Sequence, residues 1–89
     1  MERYEFLQKC KEVVDYWQDQ MPMKTCEEAS ILIRVISKKE LYPKDEEVTQ
    51  ALEKEIADMY ISLMCLQQYY RLNELSIERA IEEKLGKKY

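Results

Sequence analysis

Residues 48–70 read VTQALEKEIADMYISLMCLQQYY. On a wheel of roughly 100° per residue, Val48, Leu52, Ile56, Met59, Leu63, Leu66 and Tyr70 share one stripe, which is the repeat of an amphipathic helix. No Gly or Pro interrupts the run, so nothing in it breaks a helix. Two acids sit against this pattern. Glu55 falls near the middle of the apolar stripe, and Asp58 lies on its flank with Ala51, Ser62, Cys65 and Tyr69. A carboxylate buried in a core costs several kcal/mol unless it is neutralised, paired or bound to a cation. The segment that decides the fold therefore also raises the functional question.

Working outward, residues 29–36 (ASILIRVI) form a second apolar run. Ala29, Leu32, Ile33, Val35 and Ile36 define its apolar arc. Glu28 points into that arc, whereas Glu27 points to the polar side with Ser30, Arg34 and Lys38. The β-branched content would also suit a buried strand. Length and the terminal Lys38-Lys39 pair favour a helix over 24–39. Phe6/Leu7, Cys10, Val13/Val14 and Trp17 recur at three-to-four spacing and predict a helix over 2–19. Residues 40–45, with Leu41-Tyr42-Pro43, form the clear loop. Asp45 can cap a third helix over 46–71, whose positive end suits Glu46-Glu47. Asn73 can take the left-handed turn that ends it, and Ser76 can cap a last helix over 76–86, stopped at Gly86. The reading is an all-α chain, one domain over 1–89, folded as a four-helix unit with short antiparallel connections.

Composition agrees. One Gly, two Pro and 36% charged residues in 89 argue for helices over strands and tight turns. A chain this short buries only about 60–65% of its unfolded surface, so a homo-oligomer is expected. The net charge of -4 disfavours a duplex nucleic-acid binder, whose affinity rests on basic groups meeting phosphates. Cys10, Cys26 and Cys65 are far apart, lack CxxC spacing and read as reduced core thiols. The charged, amphipathic N-terminus is neither a signal peptide nor a membrane span. A soluble, cytoplasmic protein with no membrane partner is expected.

Much chemistry is excluded. The chain has no His, which removes imidazole-based hydrolase arrangements and the usual zinc sites. Its single Gly lies near the C-terminus, so neither a P-loop nor a dinucleotide-binding turn can be built. Carboxylate chemistry remains. Oxygen-rich sites select Mg²⁺ or Mn²⁺, and Mg²⁺ commonly binds one or two carboxylates plus substrate phosphates. Glu55 and Asp58 are neighbours on one helical face, and packing the second helix on the third can bring Glu28 to them.

The segments CEEASILI, EKEIADMYISL and LSIERAIEEKLGKK together resemble the MazG-like all-α nucleoside triphosphate pyrophosphohydrolases. These carry an ExxE motif, a variable spacer, an ExxD motif and a closing basic helix. The resemblance spans roughly residues 24–88. Glu55-Ile56-Ala57-Asp58 matches ExxD, and Ile81-Glu82-Glu83-Lys84-Leu85 matches the closing helix. It implies a metal and catalytic set of Glu28, Glu55 and Asp58, with Mg²⁺ or Mn²⁺ as cofactor. It also implies phosphate contacts from Lys84, Lys87 and Lys88, and a nucleoside triphosphate or other nucleotide as ligand. The implied reaction yields the monophosphate and pyrophosphate. The chain departs from the family at Ile31, where the EExxE pattern would place a fourth acidic ligand. The alternative is a catalytically degenerate relative, of phage or mobile-element origin, that binds a nucleotide or a protein partner without hydrolysis. A third reading is a purely structural helical oligomer.

Each feature also has a plainer explanation. Thr25-Cys26-Glu27-Glu28 is a capping box in which Glu28 would reach back to the Thr25 amide, unless Pro22 starts the helix a turn earlier. Glu55 and Asp58 could pair with Arg34, Lys39 or Arg71. The C-terminal lysines suit the negative end of a helix dipole. Tyr4, Tyr16, Trp17, Tyr69 and Tyr70 read as core or oligomer contacts, and Met21, Met23, Met59 and Met64 as core filler.

Overall fold

The structure, a computed structural model, describes residues 1–86. It is all-α, with no strand among the described residues. α1 covers Arg3–Trp17, a single 3₁₀ turn Gln18–Gln20, α2 Met21–Leu41, α3 Glu46–Tyr69 and α4 Glu74–Gly86. α1 is joined to α2 almost without a loop. The chain bends at Gln18, whose φ of 50° and ψ of -127° lie in a region that side chains disfavour.

α2 starts a turn earlier than its periodicity predicts, because Pro22 occupies its first turn, where the missing N–H is harmless. Thr25 is consequently inside the helix, and its hydroxyl donates back to the Met21 carbonyl (3.1 Å). The capping box is thus ruled out. Asp45 caps α3 as expected, its carboxylate accepting from the Glu47 and Val48 amides. At the far end two roles shift by residue. Arg71, not Asn73, takes the left-handed conformation (φ 55°), with the Leu72 amide donating to the Gln67 carbonyl. Asn73, not Ser76, caps α4, accepting from the Leu75 and Ser76 amides (2.9 and 3.2 Å).

α1, α2 and α3 pack together, with α2 against α3 as the main interface. Cys10, Met21 and Cys65 are the fully buried apolar residues, surrounded by half-buried Phe6, Val13, Val14, Trp17, Met64 and Tyr69. The Cys65 thiol donates to the Cys10 carbonyl (3.5 Å) and the Gln68 amide to the Leu7 carbonyl (3.1 Å), tying α3 to α1. α4 does not join this interior. Ile77 is its one half-buried residue, the rest being exposed, and an Arg3–Glu74 ion pair links its start to α1. The four-helix unit of the sequence reading is three packed helices and a fourth that stands off.

The buried side of α3 is also turned relative to the apolar stripe. Glu55, Ser62 and Cys65 face inward, while Ile56, Leu63 and Tyr70 are exposed. In α2 the interior side carries Met21, Thr25 and Glu28, and Ile33 and Ile36 are exposed. The interior of the α2–α3 interface thus includes small and polar side chains beside Met21, while several of the larger apolar ones, Ile33, Ile36, Ile56 and Leu63, remain exposed. Two further expectations fail for the same reason, since Cys26 and Met23 lie on the outer face of α2 and are exposed. No helix is long and apolar enough to cross a membrane, among the described residues.

Candidate metal centre

Glu28 on α2 and Glu55 and Asp58 on α3 meet where the two helices pack. Each offers a carboxylate oxygen, and the three oxygens lie within 4.8 Å of one another. Glu28 and Glu55 keep only 9% and 8% of their surface, whereas Asp58 is exposed. The sites follow from helix geometry: Glu55 and Asp58 are one turn apart on α3, and Glu28 lies three residues beyond Thr25 on the face of α2 that meets them.

Charge balance in this cluster is incomplete. Glu28 Oε2 and Glu55 Oε1 are buried without a hydrogen-bond partner. Burial, followed by the adjacent Glu28 and Asp58 carboxylates, pushes the Glu55 carboxyl up to about 7. A hydrogen bond with Glu55 chiefly holds Glu28 below its ordinary value, with help from Lys24. Of the two buried carboxyls, Glu55 is thus the one whose protonated form is favoured, and Glu28 the one whose ionised form is favoured. None of Arg34, Lys39 and Arg71 forms an ion pair with the cluster. Lys39 instead donates to the Pro43 carbonyl (2.6 Å) and the Thr49 hydroxyl (2.9 Å).

The cation that does reach the cluster is one the sequence reading passed over. Lys24 Nζ lies 3.2 Å from Glu28 Oε1 and 5.1 Å from the centre of the Trp17 ring. Its position four residues before Glu28 was the available signal. A cavity of about 160 Å³ opens here, lined in part by Trp17, Lys24, Glu28, Asp58, Ser62 and Cys65. A shallower groove of about 390 Å³ adjoins it, bounded by Trp17, Gln20, Met23, Lys24, Cys26 and Glu27. Trp17 and Lys24 form the wall common to both.

The donor set fits a hard divalent ion. It is all oxygen, with no soft ligand among the three, and two of its buried oxygens lack any protein donor. Ile31, one turn beyond Glu28, is half-buried and supplies no ligand atom. Lys84 is exposed on α4 and lines neither cavity beside the cluster. Lys87 and Lys88 lie outside the described residues. No protein-family model, curated protein or solved structure matches the chain.

Proposed function

We propose that this protein is a MazG-like nucleotide pyrophosphohydrolase, cleaving a nucleoside or deoxynucleoside triphosphate to the monophosphate and pyrophosphate. Glu28, Glu55 and Asp58 would hold Mg²⁺ or Mn²⁺. The observation that carries the reading is the convergence of these three carboxylates from two helices, with buried oxygens that no protein group satisfies. A divalent ion bound there supplies polarisation of phosphoryl oxygens and a more acidic water. The chain's own groups bind and orient. Glu28 and Asp58 line the cavity, and a Glu55 carboxylate oxygen lies within 4.8 Å of theirs. The adjoining groove beside Trp17 gives room for the rest of a nucleotide.

Self-association belongs to the same proposal. The accessible surface of 7422 Å² exceeds the roughly 5500 Å² expected of a compact 10.8 kDa monomer. The radius of gyration, 15.2 Å, exceeds the expected ~12 Å. The excess is of the order that one partner contributes to a permanent dimer interface. Exposed Ile33, Leu63, Leu75, Ile81 and Leu85 supply the apolar area. The free thiols of Cys10, Cys26 and Cys65 fit a reducing, cytoplasmic setting.

Ile31 favours a second reading, in which the site binds a metal–nucleotide without cleaving it because the missing acid leaves the attacking water unplaced. Pyrophosphate release across the common NTPs and dNTPs, with Mg²⁺ and with Mn²⁺, separates the two. Metal-dependent release abolished by Asp58→Asn supports the enzyme. Nucleotide binding without release supports the binder, and neither signal removes both.

A further inference from the structure

Lys24 stands in an unusual place for a surface lysine. Its side chain keeps 26% of its surface, and among the described residues it is the cation paired with the acidic cluster. Its ammonium touches a single oxygen, Glu28 Oε1. The other buried oxygens, Glu28 Oε2 and Glu55 Oε1, stay without a partner. Lys24 therefore supplies positive charge to one oxygen of the cluster and satisfies neither of these two. An ammonium carries one positive charge and reaches oxygens only at hydrogen-bond length, whereas a divalent ion carries two and binds carboxylate oxygens directly at about 2.1 Å.

We infer that Lys24 is the resting counter-ion of the cluster, and that a divalent ion loads by displacing its ammonium from Glu28 onto the Trp17 face. The inference rests on the three carboxylates being a cation site. With an ion between them, the ammonium meets a like charge at the carboxylate it contacts. It has somewhere to go, because the Trp17 ring already lies 5.1 Å beneath it and an indole face attracts a cation. The stem is anchored on α2 one turn before Glu28, so the ammonium stays at the cavity wall after release. Lys24 is thus a positioning residue: it tempers repulsion in the metal-free site and sets the concentration at which metal enters.

Trp17 is the chain's one tryptophan, so its fluorescence reports this contact without labelling. The test is Mg²⁺ titration of the full chain and of Lys24→Gln, by calorimetry and by tryptophan emission, with circular dichroism confirming helicity. K24Q is expected to bind Mg²⁺ about fivefold tighter, the loss of one partly exposed competing charge. Trp17 emission should change on Mg²⁺ binding in the parent and not in K24Q, whereas Lys24→Arg should retain both parental behaviours. A purely structural lysine would leave metal affinity unchanged or weaken it. If K24Q loses helicity, Lys24→Met keeps the apolar stem against Trp17 and takes its place. Mg²⁺ binding to the parent with no tighter binding to K24Q overturns the inference and leaves the cation site standing. No Mg²⁺ uptake by either protein removes the cation site, and the inference with it.

Discussion

Replacing Glu55 with Gln should stabilise this protein, and only under conditions that the site specifies. Glu55 is pushed from an ordinary 4.5 to about 7. Below pH 4.5 the folded and unfolded chains both carry the proton, and burial of Glu55 brings no charge penalty. Between 4.5 and 7 the folded chain holds a proton that the unfolded chain has lost, so stability falls as pH rises. Above 7 the full penalty, roughly 3 kcal/mol, is in place. Glu28 acts in the other direction: its lowered value gives stability that is lost as pH falls below the ordinary carboxylate range, outside this window. A glutamine side chain at this position would imitate the protonated acid. In chelator, Glu55→Gln should therefore be near neutral at about pH 4.5 and stabilising at about pH 8, by up to about 3 kcal/mol. At about 4–8 °C per kcal/mol, that corresponds to a Tm gain of up to roughly 10–25 °C for a domain of this size. Saturating Mg²⁺ should stabilise the parent by mass action and leave the variant, which lacks a ligand, little changed. Thermal denaturation followed by circular dichroism at both pH values, with EDTA or Mg²⁺, makes the comparison. An equal effect at both pH values, or destabilisation at the higher pH in EDTA, would refute the reasoning, because Glu55 would then be solvated or paired.

Ile31→Glu places an acid where the resembled family carries one, so in EDTA it should lower stability by about 1–3 kcal/mol; Mg²⁺ should recover more stability in the variant than in the parent, and pyrophosphate release should rise or appear. An equal loss with and without metal, and no release, would sever α2 from any catalytic role. Gln18→Gly relieves the disfavoured backbone at the bend between α1 and α2 and should stabilise by about 1 kcal/mol in urea denaturation; a destabilised variant would mean that Gln18 is not strained. Light scattering at micromolar concentration should give a mass above 10.8 kDa, and Leu85→Asp should reduce it if α4 lies in the contact. A stable parental monomer would refute self-association.

The helices were readable because their signals are local. The three-to-four repeat of Phe6, Cys10, Val13 and Trp17, the Asp45 cap and the uninterrupted run through residues 48–70 each act within one or two turns. The inward aim of Glu28 was equally legible, as the wheel places it among Ala29, Leu32 and Val35. What failed needed neighbours. Periodicity names an apolar stripe but not which edge of it meets the next helix, and here the small and polar edge of α3, with Ser62 and Cys65, won the interior over Ile56 and Leu63. Asn73 and Ser76 are both good caps, and Arg71 taking the left-handed turn decided between them. Lys24 was missed because an i,i+4 pair looks the same in sequence whether it lies in solvent or against a buried cluster. α4 carries a helical pattern, yet among its described residues only Ile77 is even half-buried, which no wheel can reveal.

Crystals grown with Mn²⁺ and a non-hydrolysable nucleoside triphosphate analogue test the central claim most directly, through anomalous scattering at the metal. The account predicts a peak between the Glu28, Glu55 and Asp58 carboxylates, with direct metal–oxygen distances of about 2.1 Å and the analogue's phosphates completing the coordination. A peak elsewhere, or a fully occupied analogue with no metal among these three residues, would contradict it.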